Sequence, residues 1–167
     1  MNIKTDVADR LLDDNRHHAT AFAGGDLGSN PTRKLAILTC MDTRIEPLGA
    51  LGLQVGEAHV LRNAGGRVTD DMLRSLMVST VVLGVRDVAV VQHDGCGMNK
   101  LDDTQLRDRI TEATGHDPAT TDFLTFTDLD DSVKTDVERV RTHEGIVTER
   151  VVGFVYDVAT GRLRQVV

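Results

Sequence analysis

Two cysteines in a chain of 167 residues stand where metal or thiolate chemistry is easily done. Cys40 follows the apolar run LAILT, residues 35–39. Cys96 comes three residues after His93, which closes the Val-rich run DVAVVQ, residues 87–92. Thiolate and imidazole both suit zinc, and three protein ligands leave a fourth tetrahedral position for water or substrate. In H-x-x-C, Asp94 and Gly95 make a tight turn that lets both donors address one centre. Gly95 and Gly97 flank Cys96 and admit close backbone approach, so their amides can donate to the sulfur. Taken singly, these residues have plainer readings: buried small hydrophobes, a disulfide, or a histidine held by ordinary hydrogen bonds. Three soft donors at two strand ends together favour a metal.

Cys40 also begins the segment Cys40-Met41-Asp42-Thr43-Arg44. In an extended chain, residues i, i+2 and i+4 share a side, so Asp42 and Arg44 are expected beside Cys40. Arg44 can clamp Asp42 through paired N–H···O bonds, and the pair can orient a metal-bound water. Without Arg44, Asp42 could itself bind the metal. An isolated surface ion pair would be worth little; next to a metal ligand it reads as functional.

These residues need a scaffold. Short continuous apolar runs at 35–39 and 87–92 suit strands buried on both faces, and 58–62 reads as a second short strand. Helices are expected over 6–23, over EPLGALGL with Pro47 in its first turn, and after a Thr69 or Asp70 cap with Leu73, Leu76, Met77, Thr80 and Val81 inward. Further helices are expected over about 101–113 and from Asp130 or Asp131, with Val133, Val137 and Val140 on one face. Residues 148–158 read as a long strand, and RLRQVV as its antiparallel partner. The alternation predicts an α/β fold: a mostly parallel central sheet flanked by helices, with an antiparallel edge strand at the C-terminus. In such sheets ligands bind beyond the carboxyl ends of the strands, where Cys40 and His93 fall.

Composition narrows the partners. The net charge is −7, with no basic stripe, which argues against nucleic acid and anionic membranes. No apolar run approaches a membrane span. The polar N-terminus does not read as a signal peptide, so a reducing cytoplasm with free thiols is expected. The chain reads as one domain over 1–167, with residues 1–30 as an N-terminal helical arm whose thin apolar stripe needs another surface. His17, His18, His59, His116 and His143 are read as ordinary histidines rather than proton shuttles. The acidic pairs at Asp13–Asp14 and Asp102–Asp103, with the run Asp128–Asp131, are read as solvated helix starts.

TCMDTR, LRNAGG, the following helix with LGV, and HDGCGM resemble the β-class carbonic anhydrases in order and spacing. The resemblance runs from Lys34 to Met98 and continues in VGFVYDVATGRL, and the short chain is similar to the compact prokaryotic subgroup. It implies zinc held by Cys40, His93 and Cys96, and a dyad of Asp42 and Arg44, with Asp42 as a fourth ligand in a closed state. It implies a zinc lyase that hydrates carbon dioxide reversibly to bicarbonate and a proton by activating zinc-bound water. It also implies a homodimer or a multiple of dimers, the N-terminal helices reaching across to the partner. The alternatives are hydrolysis of a related heterocumulene such as carbon disulfide on the same zinc, or a non-catalytic zinc protein. Two departures stand out. Asp94 replaces the threonine that many members carry after the zinc histidine, adding a carboxylate near the site. With 3% aromatic residues, none near the motifs, no aromatic pocket lining is expected.

Overall fold

The computed structural model describes residues 6–167. The N-terminal arm expected over residues 1–30 therefore lies partly outside the described residues. Its helix, α1 (Val7–Thr20), starts at an Asp6 cap and buries none of its residues. Asp13 and Asp14 fall in the middle of α1 rather than at a helix start.

Among the described residues, five strands form one sheet: β1 (Leu35–Cys40), β2 (Ala58–Asn63), β3 (Asp87–His93), β4 (Arg150–Tyr156) and β5 (Leu163–Gln165). Their order is β2-β1-β3-β4-β5. All pairs are parallel except β4 with β5, which is antiparallel. This is the predicted fold class. The chain moves from β1 outward to β2, then returns to place β3 on the other side of β1. The order therefore reverses between β1 and β3, and the crevice at their carboxyl ends is where such sheets bind ligands.

Helices α3 (Asp70–Val81) and α5 (Leu129–Arg141) cover one face of the sheet. Their Leu73, Leu76, Val133, Val137 and Val140 pack with Ala36, Leu38, Val88 and Val90. Thr69 caps α3 through its hydroxyl. Val81, expected inward, is exposed, because the buried stripe runs through Met72, Leu73, Leu76 and Thr80. α5 begins earlier than the sequence suggests: Asp128 takes the cap, so Asp130 and Asp131 fill the first turn. It lies so close to β4 that a Cβ at Gly153 would come 2.5 Å from Val133. On the other face, short α2 (Pro47–Ala50) and Leu53 cover Ile37, Ala89 and Val91, with Val152 and Phe154 only partly buried. α4 (Asp103–Thr114) starts at Asp102 with a full capping box, and the FLTFT segment is irregular.

Candidate metal centre

Cys40 ends β1 and His93 ends β3 on adjoining strands, Thr39 standing opposite Val91 in the register. Gly95, at φ +63°, turns the chain so that Cys96 returns to the same point. All three residues are buried. The two sulfurs lie 4.0 Å apart, and the three donor atoms fall within 4.8 Å of one another. Two thiolates on a tetrahedral zinc stand about 3.8 Å apart. His93 Nδ1 donates to the Asp94 carbonyl at 2.8 Å, which leaves the lone pair on Nε2. That Nε2 is buried and has no hydrogen-bond partner. A bare buried nitrogen is costly, and a cation at the meeting point of the donors removes the cost. The donor set fits zinc.

The electrostatics are those of a site prepared for a cation. The contact with Cys96 shifts the Cys40 thiol downward. His93 and the amides of Asp42 and Gly65 act in the same direction, and burial opposes them. Cys96 is pushed up, by serving Cys40 and by burial. The pair thus gives up its first proton readily and its second with difficulty. Burial works against charge on His93, but the nearby Cys40, the Asp94 carbonyl and the Asp42 carboxylate outweigh it, so its value is raised. The amides reaching the sulfurs are not those of Gly95 and Gly97. Met98 serves Cys96, while Asp42 and Gly65 serve Cys40.

Residues 41–44 are not extended as the sequence reading supposed. The Arg44 amide folds back onto Asp42 Oδ1 at 2.9 Å, and the Ile45 amide bonds the Asp42 carbonyl. This Asx turn still places Asp42 at the centre, its Oδ2 being 3.8 Å from His93 Nε2. Arg44 grips both carboxylate oxygens, through Nε at 2.9 Å and Nη2 at 2.7 Å. The Arg44 side chain, then its amide, hold the Asp42 carboxyl well below the usual carboxylate range.

Arg62 is not among the residues to which the sequence pattern points. Its guanidinium donates to the carbonyls of Cys40 at 2.9 Å and Asp42 at 2.6 Å, tying down the segment between ligand and dyad. A signal was present: Arg62 ends a strand at the same sheet edge as Cys40. The Asp94 carboxylate accepts from the Val158 amide at 3.0 Å, so it anchors the β4–β5 connection. Aromatic residues do reach the site, contrary to expectation. Phe126 and Tyr156 pack with Met98 and Val158 around Cys40, Ile45 and Cys96; distance along the chain hid them. His59 bonds Ser79 and the Ser29 carbonyl, and none of the five other histidines joins the converging group.

An incomplete donor set beside an ionised carboxylate is the arrangement of a catalytic metal centre, not of a closed structural one. The carbonic anhydrase family profile matches residues 35–163, and the chain belongs to that family, in its β class. It is 37% identical to beta-carbonic anhydrase 1 of Mycobacterium tuberculosis, over 96% of this chain and 98% of that protein. It is 35% identical to a carbon disulfide hydrolase of Acidianus sp., over 80% of this chain and 77% of that protein. The crystal structure of carbonic anhydrase from Streptococcus mutans superposes with a TM-score of 0.93 at 36% identity, covering 99% of this chain and all of that one.

Proposed function

We propose that this protein is a zinc lyase catalysing the reversible hydration of carbon dioxide to bicarbonate and a proton. Cys40, His93 and Cys96 hold the zinc, and Asp42 and Arg44 act beside it. One observation carries this reading: the bare Nε2 of His93, within reach of two sulfurs, faces a carboxylate that Arg44 keeps ionised. Zinc bound there activates water as a nucleophile near neutral pH.

The chain's own groups supply the rest. Asp42 is a standing hydrogen-bond acceptor, since Arg44 fixes both of its oxygens. It orients a water proton and thereby the lone pair that attacks carbon dioxide. Asp42 does not store the released proton, because its carboxyl stays ionised through the neutral range. The proton passes to buffer. Asp42 would serve as a fourth ligand, in a closed state, only with the hold of Arg44 released.

The chain acts as a single domain that assembles as a homodimer or a multiple of dimers. Support comes from α1, which exposes Val7, Leu11 and Leu12, and from β2, an edge strand with Val60 exposed. We place the protein in the cytoplasm, in keeping with two free cysteines serving one site. No described helix is long and apolar enough to cross a membrane.

Carbon disulfide hydrolysis is the second reading, favoured by the likeness to the Acidianus enzyme. Zinc content measured together with stopped-flow carbon dioxide hydration, and carbon disulfide turnover in parallel, tests both. A fully active zinc-free protein overturns the proposal, and turnover of carbon disulfide alone transfers it to the second reading.

A further inference from the structure

Asp136, on α5, is buried at 1% exposure in the layer that otherwise carries the valines of that helix. Its carboxylate receives two different parts of the site's framework. Gln92 Nε2 donates to Oδ2 at 2.8 Å, and Gln92 immediately precedes His93 on β3. Arg67 donates to Oδ2 through Nε at 2.7 Å and to Oδ1 through Nη2 at 3.3 Å.

Arg67 in turn fixes the loop that serves Cys40. Its amide donates to Asn63 Oδ1 at 2.9 Å, and its carbonyl accepts from Asn63 Nδ2 at 2.8 Å. The loop closed by this pincer carries Gly65, whose amide serves the Cys40 sulfur. It also carries Gly66, where a Cβ would come 2.8 Å from the Cys40 nitrogen. The Arg67 guanidinium further bonds the Leu124 carbonyl and lies 5.5 Å from the ring centre of Phe126, which packs at the cysteines.

We propose that Asp136 is a positioning residue for the metal centre: through Gln92 and Arg67 it locks the carboxyl end of β3 and the 63–67 loop in one geometry, setting how His93 and Cys40 meet the ion. The inference rests on the zinc reading above. A fold held by apolar packing alone has no need of this charge. Burying an ion pair brings little net stability, and well-packed apolar replacements are often neutral or better. Metal-ligand geometry, by contrast, depends strongly on the groups that hold the ligands.

The test replaces the whole network by apolar side chains, Arg67→Met/Gln92→Met/Asp136→Leu, and compares it with the parent protein. Circular dichroism and thermal unfolding of the zinc-free forms establish folding. Zinc affinity by chelator competition and the visible spectrum of the cobalt-substituted protein report on the centre. The expected result is a folded variant with zinc affinity lowered about 10- to 100-fold and an altered cobalt spectrum. A folded variant with parental affinity and spectrum overturns the proposal. If the triple variant does not fold, Gln92→Met alone decides. Faster zinc release with an unchanged melting temperature supports the role, and an unchanged release rate overturns it. A parent protein that binds no zinc refutes the zinc reading itself, and the inference with it.

Discussion

Arg44 holds Asp42 by three hydrogen bonds, one from its amide and two from its guanidinium, at 2.9, 2.9 and 2.7 Å. The main chain of residues 42–44 and the side chain of Arg44 thus act on one carboxylate from two directions. The carboxylate neither swings away nor takes a proton near neutral pH. Rate should be more sensitive to this grip than metal binding is.

Arg44→Ala should therefore keep a full complement of zinc and lose about 10²-fold or more in hydration rate, the cost of a misplaced reacting partner. Metal analysis and stopped-flow assay on one preparation check it; an unchanged rate would remove the dyad role. The sign of the pH effect is also set. Asp42 is depressed in the folded state, so its contribution to stability is whole above the unfolded value of about 3.9 and fades as pH falls through the folded value. Its protonation cannot shape a rate profile measured near neutrality.

Cys40→Ser should lose zinc and activity together, since a sulfur that ionises readily is replaced by a hydroxyl that stays protonated. The folded apoprotein should survive, because the hydrophobic cluster between the sheet and helices α3 and α5 does not include Cys40. Elemental analysis with circular dichroism distinguishes loss of metal from loss of fold.

Zinc binding should release a pH-dependent number of protons. With Cys40 shifted down and Cys96 pushed up, about one proton leaves at alkaline pH. As pH falls through the raised value of His93, loss of the imidazolium proton adds a second and apparent affinity drops. Calorimetric titration in buffers of different ionisation enthalpy counts them. Release of two protons at alkaline pH would show that both sulfurs start protonated.

Gly66→Ala should damage both fold and centre. The residue has φ +64°, and its new Cβ would meet the Cys40 nitrogen at 2.8 Å and the Thr39 carbonyl carbon at 2.9 Å. Conformational strain alone costs about 1–3 kcal/mol. Gly84→Ala is the control: φ is +76°, yet nothing lies within 4 Å of the added carbon. It should lower the melting temperature without altering zinc affinity.

Much of the site was legible because its ligands end unmistakable buried strands. LAILT and DVAVVQ are too apolar and too short for other roles, and a parallel sheet forces their carboxyl ends together. The turn at 41–44 departs from extension because the Asp42 side chain accepts from the Arg44 amide, which alternation does not register. Asp136 does lie on a legible pattern: with Val133, Val137 and Val140 it completes a helical stripe, and an acidic residue there must find a buried partner. That the partner would be Arg67 could not be read, since the pairing spans 69 positions and depends on how α5 crosses the sheet. Val81 follows the periodicity and still faces outward, because the buried stripe of α3 is rotated onto Met72, Leu73, Leu76, Ser79 and Thr80, which leaves Met77 only partly buried as well.

Cys40 and Cys96 are 56 positions apart in the chain, and β1 meets β3 only through non-local pairing. An ion shared by both sulfurs is consequently a cross-link: it shuts a long loop and removes conformational freedom from the unfolded ensemble. The chain should then be markedly harder to denature when metallated, and a chelator should weaken the sheet's central seam as well as silence the enzyme.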